Sequence, residues 1–145
     1  GVKVWTEILI PDEVEDILVL PGGRTANRLL CLEPNKLKII KAAAQEADIC
    51  MMIANGSSVL AQTGLLYHRQ IADYPGEENW KRMFTAEIRR RQNAKWISDG
   101  KYYSSSSTMA GFDMALGVIS DMVDIELAVH IANELGYEWN QEMIF

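Results

Sequence analysis

An apolar strand that runs straight into a turn of small residues, and from there into a helix, narrows most what this chain can fold into. It spans Asp48 to Ala61, DICMMIANGSSVLA. Ile49–Ile53 carries no charge and no polar alternation, the pattern of a strand covered on both faces. Ala54-Asn55-Gly56 supplies the small residues of a tight reversal, and a helix opens near Gly56. In α/β folds this strand–turn–helix geometry lifts one side chain above the sheet end, beside free backbone N–H groups. Here that side chain is Ala54, whose methyl cannot attack as a cysteine or serine would.

The remaining segments fall into the same alternation. Val2–Ile10 is rich in β-branched and aromatic residues and is expected to be extended, with Pro11-Asp12 breaking it. Asp16–Leu20 is a second short apolar run, closed by Pro21-Gly22-Gly23. Pro34–Ala47 predicts a helix with Leu37, Ile40 and Ala44 on one face, and Gly64 a left-handed cap after the elbow helix. Trp80, Phe84 and Ile88 predict a helix over Glu77–Arg91. Asp99-Gly100, between Lys95–Ser98 and Lys101–Ser104, is a hairpin signal. Thr108 or Ser107 caps a helix running to about Met122, and Asp124 opens another that ends near Gly136. Strands alternating with helices make an α/β layered fold with a mainly parallel sheet, and no internal repeat or linker divides residues 1–145, which are expected to be a single domain.

Composition removes several classes of function. A net charge of −6 leaves no electrostatic footprint for nucleic acid on the chain as a whole. The crowded Lys81, Arg82, Arg89, Arg90, Arg91 and Lys95 are expected to form a solvated helix face. No apolar run is long enough to span a bilayer. Cys31 and Cys50 lie outside any ligand spacing and are too few for a disulfide framework, so a reduced, cytoplasmic setting is the expectation. Gly1-Val2-Lys3-Val4 shows no signal-peptide pattern, and a chain opening on Gly1 is expected to be processed, cloned or cut from something longer.

Few candidates for chemistry remain. Cys50 lies inside the apolar strand, before the elbow, where a thiol behaves as a small apolar group with a raised pKa. Cys31, after Leu29-Leu30, is also expected to pack. His68 and His130 are far apart with no acidic ligand at helical spacing, so no metal site is expected. Ser104–Ser107 has no visible base that would make one of its serines a nucleophile. Met51 and Met52 in a strand, with Met109, Met114 and Met122 along a helix, are expected to fill the core. Asp113 is expected to be a fixed charge paired with an arginine such as Arg24 or Arg28.

Three blocks of sequence resemble the ThiJ/PfpI superfamily, the DJ-type proteins with a class I glutamine amidotransferase-like fold. The first is Asp16–Gly23. The second runs from Ala54 to Leu66 and is followed by Arg69. The third is Trp96–Leu116, and Gly136–Asn140 resembles the family's tail. The resemblance implies a flavodoxin-like three-layer sandwich, with the family's first strands and helix absent. It also implies that the elbow is where the family carries Cys-Thr-Gly, and that Tyr74 stands where many members carry histidine. The family's acidic partner of the cysteine comes from a region before Gly1, and Glu7 and Glu13 are not expected to replace it. What it leaves is an anion-binding pocket lined by Gly22, Gly23, Ala54, Asn55 and Gly56, bordered by Ser105 and Ser106.

On this resemblance the leading expectation is a family member without thiol catalysis, binding a small molecule or partner at that pocket, with no cofactor. The alternative is an enzyme of the family's type, a hydratase, glyoxalase-like lyase or hydrolase, in which Ala54 replaces a catalytic cysteine. The sensor half of a transcription regulator is disfavoured, because no DNA-binding helix pair follows Phe145. A sheet deprived of its first strand must be completed by Gly1–Ile10, by a second chain or by an open-edge dimer, so a homo-oligomer or a completing second chain is expected.

Overall fold

The computed structural model describes residues 3–13, 16–24, 26–28, 32–83 and 87–141. In chain order these form β1 (Ile17–Leu20), α1 (Pro34–Glu46), β2 (Ile49–Met52), α2 (Ser57–Ala61), β3 (Gln70–Ala72) and α3 (Glu78–Met83). There follow β4 (Arg89–Arg91), β5 (Trp96–Asp99), β6 (Tyr102–Ser105), α4 (Ala110–Met122) and α5 (Ile125–Glu134). The main sheet has the order β1-β2-β6-β5. β2 runs parallel to β1 on one side and to β6 on the other, while β5 closes antiparallel on β6 through Asp99-Gly100. β3 and β4 form a separate parallel pair, with β3 packed along β5.

The register decides which side chains share a layer. Leu18 and Leu20 of β1, Cys50 and Met52 of β2 and Tyr102 of β6 face one side. They pack there on Ala43 and Ala44 of α1 and Leu60 and Ala61 of α2. The alternate residues Ile49, Met51 and Tyr103 face the other side and meet Trp96 with Met114 and Val118 of α4. α5 packs beside α4. Helices thus cover both faces of a mainly parallel sheet, the α/β layering that the alternation predicts and the three-layer flavodoxin-like sandwich that the resemblance implies.

The helix ends follow local chemistry. Asp124 accepts the Leu127 N–H at 2.7 Å and caps α5, after which Gly136 turns at φ 62°. At α4 the Ser107 hydroxyl, rather than Thr108, accepts the Ala110 N–H at 3.1 Å. Gly64 is left-handed (φ 83°), but α2 already ends at Ala61 and the glycine turns the loop beyond it. The expected helix over Glu77–Arg91 stops at Met83, and Arg89–Arg91 pairs as strand β4 instead. Phe84, on which that reading leaned, lies outside the described residues, as does Cys31.

The edge at β1 behaves differently from the centre. β1 pairs only with β2 among the described residues, and residues 3–10 add no strand to it. That part of the expected gap-filling is not what the fold does. Ile17 and Val19 remain exposed, although their sequence context matches the wholly buried β2. The methionines divide likewise. Met51, Met52 and Met114 are buried, whereas Met109 and Met122 face solvent, because they stand at the two ends of α4 beyond the reach of the sheet.

Candidate functional site

The chain turns out of β2 at Ala54 with φ 51°, a left-handed conformation that costs an L-residue roughly 1–2 kcal/mol. The turn is held from several directions. The Ala54 N–H donates to the Ser105 hydroxyl at 3.2 Å, and that hydroxyl donates to the Ser107 carbonyl at 3.0 Å. Asn55 clasps the loop after β1 reciprocally: its Oδ1 accepts the Gly23 N–H at 3.0 Å, and its Nδ2 donates to the Gly23 carbonyl at 2.9 Å. Gly56 passes so close to β1 that a Cβ would overlap the Leu20 carbonyl oxygen, and a Cβ at Gly22 would overlap Asn55 Oδ1. Gly56 is therefore required by close approach to backbone, whereas a side chain at Gly22 would displace the Asn55 amide from its clasp.

Above this turn lies a cavity of about 280 Å³, lined by Ala54, Asn55, Tyr74, Pro75, Glu77 and residues 106–108. A second cavity of about 420 Å³ adjoins it through Pro75, Ser106 and Ser107, and reaches Asp73 and Gln92. Pro75-Gly76 reverses the chain, with φ 90° at Gly76 and 59° at Glu77, and brings the Glu77 carboxylate to the elbow. Glu77 Oε2 accepts the Tyr74 hydroxyl at 2.8 Å, and Oε1 accepts Asn55 Nδ2 at 3.4 Å. Tyr74 is buried and its hydroxyl also meets Ser58 Oγ at 2.6 Å. Burial pushes the Tyr74 phenol well above its ordinary range, and the neighbouring Glu77 carboxylate adds to that rise. Ser106 Oγ is buried and has no hydrogen-bond partner among the described residues.

Beneath the pocket the basic run proves not to be a solvated helix face. Lys81 is buried; its ammonium lies 3.0 Å from Asp73 Oδ1 and 3.1 Å from Glu78 Oε1, donates to the Tyr74 carbonyl at 2.5 Å, and sits over the Tyr74 ring. Arg90 Nη1 stands 4.0 Å from the same Asp73 oxygen. Burial holds the Arg90 guanidinium below its usual pKa. The run fails as a helix face because β4 turns Arg90 to the same side as Ile71, its buried partner in register.

A model of the DJ-1/PfpI family matches residues 1–121. The chain belongs to the DJ-1/PfpI family. Among curated proteins it is 22% identical over 116 residues to the Parkinson disease protein 7 homolog of Danio rerio, covering 80% of this chain and 60% of that protein. It is 26% identical over 103 residues to DJ-1 protein homolog E of Arabidopsis thaliana, covering 71% of this chain and 25% of that protein. The chain thus spans less than two thirds of the length of these curated relatives. Among solved structures, Drosophila melanogaster DJ-1beta superposes with a TM-score of 0.73 at 17% identity, covering 89% of this chain and 68% of that one. A cysteine-to-alanine mutant of a DJ-1 superfamily protein from Salmonella typhimurium gives 0.71 at 21%, with the same coverages.

In this DJ-1/PfpI chain, Ala54, Asn55, Tyr74 and Ser106 meet at one cavity, while Ser105 lies beneath it as a buttress. Gly22, Gly23 and Gly56 shape the turn, but three of the backbone donors of this pocket are spent internally. The Gly23 N–H goes to Asn55, the Ala54 N–H to Ser105, and the Gly56 N–H to the Ile53 carbonyl at 2.9 Å. Cys50 is buried, donates to the Ala44 carbonyl at 3.4 Å, and has its pKa raised by burial. His68, left-handed at φ 63°, and His130 are both exposed, each beside a glutamate; for His130 it is Glu134, an acidic residue at the helical spacing that the sequence reading overlooked. Among the described residues Asp113 pairs with no arginine; it accepts the Tyr137 hydroxyl at 3.1 Å and the Asn140 N–H at 3.0 Å, fixing the tail. Arg69 bridges to Asp99 at 3.0 Å and lies over the Tyr102 ring. Glu77 escaped the sequence reading, although the Pro75-Gly76 turn signal before it marked a place where the chain reverses.

Proposed function

We propose that this DJ-1/PfpI chain acts by binding a small molecule in the elbow pocket, without thiol chemistry. The left-handed Ala54 carries the reading. A strained turn persists at the head of β2 with a methyl in place of a nucleophile, and it opens on a cavity that Asn55, Tyr74, Glu77 and Ser106 share with apolar surface. Strain that survives in a fold requires a surrounding structure that imposes it, and such positions gather at ligand sites. Glu77, the other left-handed residue of the cavity wall, fits the same account.

One observation favours the enzymatic alternative. Glu77 delivers a carboxylate to the elbow from a turn far from the family's usual acidic segment. A hydratase, glyoxalase-like or hydrolytic reaction at this pocket then needs a nucleophile other than Ala54. The two readings part on one pair of measurements. Amide NMR signals of Ala54, Asn55, Glu77 and Ser106 are expected to move saturably with members of a library of small polar fragments, and to stay still in Thr108→Trp, which plugs the rim. A silent library overturns the binding reading. Turnover of a small carbonyl compound with Ala54 in place overturns its non-catalytic part.

A further inference from the structure

We infer that the elbow pocket selects a small primary ammonium cation; the inference rests on the pocket being a binding site at all. A ligand enters such a site by satisfying what the protein leaves unsatisfied. On the elbow wall the backbone donors at Gly23, Ala54 and Gly56 are already engaged, and the Glu77 carboxylate that accepts from the Asn55 amide disfavours an anion there. The opposite wall carries the Glu77 carboxylate. Glu77 receives hydrogen bonds only from the neutral Asn55 amide and the Tyr74 hydroxyl, and no cation lies within ion-pair distance of it among the described residues.

The nearest positive groups do not cancel this charge. Lys81 pairs with Asp73 and Glu78, and Arg90 stands 4.0 Å from Asp73 with no hydrogen bond from its guanidinium among the described residues, so none of these ion pairs includes Glu77. An independent observation points to a ligand at the same place. Ser106 is only 4% exposed and lines the same cavity as Glu77, and its Oγ has no partner among the described residues. An ammonium group carries three donors and no acceptor. Placed in the cavity it gives one donor to Glu77 and another to Ser106, and the carboxylate makes the first bond charge-assisted. A volume of about 280 Å³ restricts the ligand to a small molecule.

The test compares ethylammonium, ethanol and acetate at constant ionic strength, read from the Asn55 side-chain amide and the Glu77 and Ser106 backbone amides. Ethylammonium is expected to shift these signals saturably, with Glu77→Gln weakening it roughly tenfold or more and Ser106→Ala weakening it less. Ethanol or acetate moving the signals while ethylammonium does not overturns the cation but keeps the pocket. Undiminished ethylammonium binding in folded Glu77→Gln also overturns it. Should that variant not fold, Thr108→Trp on the exposed rim replaces it, and binding that persists there overturns the site. Silence of all three probes overturns the inference, whereas the pocket itself falls only if the wider fragment library is silent too.

Discussion

Asp73 and Glu77 flank the same tyrosine, and their surroundings differ in kind. Asp73 is half-buried and meets the buried Lys81 at 3.0 Å, with Arg90 4.0 Å away, and the Lys81 ammonium also grips the Tyr74 carbonyl. Glu77 receives the Tyr74 hydroxyl and the Asn55 amide, meets no cation among the described residues, and opens on a cavity. One carboxylate is locked by charge; the other is positioned by neutral donors and left available. A half-buried carboxylate is therefore no guide to function until its counter-ions are counted.

The same chemical change, carboxylate to amide, separates the two. Asp73→Asn takes the closest charge from Lys81, whose side chain is 3% exposed, and leaves the ammonium with the more exposed Glu78. Stranding one partner of a buried pair costs about 3 kcal/mol even at the low end of its usual range. A urea midpoint unchanged from that of the parent chain would break the claim that this cluster is structural.

Tyr74 joins the two halves, so its variant falls between them. Tyr74→Phe keeps the ring beneath Lys81 but leaves the fully buried Ser58 hydroxyl without its 2.6 Å partner, a loss of about 1–2 kcal/mol. The phenol also imposes a pH dependence. Its pKa is raised on folding, so its stabilising contribution is complete below the ordinary tyrosine value of 10.0 and is lost as pH rises beyond it. Thermal midpoints measured from neutral pH upward are expected to fall less steeply in Tyr74→Phe than in the parent chain, and parallel slopes would contradict the assignment.

The sequence exposed the frame more readily than this contrast. β1, β2 and β6, the hairpin at Asp99-Gly100 and the cap at Asp124 are local: apolar runs, a turn dipeptide and a side chain beside its own helix dictate them. The elbow too was legible, because strand, small residues and helix are contiguous. Lys81 and Arg90 were not, since their burial depends on where β3 and β4 pair, and a run of arginines carries no strand pattern of its own. Asp113 was misread for the same reason, as its partners Tyr137 and Asn140 arrive from the tail. Glu77 reaches the elbow only through the reversal at Pro75-Gly76, a geometry no residue type at that position announces.

Glu77→Gln supplies the smallest expected effect and the sharpest form of the comparison. The amide keeps an oxygen for the Tyr74 hydroxyl, the backbone stays left-handed, and no buried cation loses a counter-charge. Stability is expected to change by no more than about 0.5 kcal/mol, the range of substitutions that break no buried network. Set beside about 3 kcal/mol for Asp73→Asn, the difference measures how far the fold relies on each charge. A denaturation midpoint for Glu77→Gln displaced as far as that of Asp73→Asn would mean that Glu77 holds the fold together, and that its place at the cavity serves packing rather than a ligand.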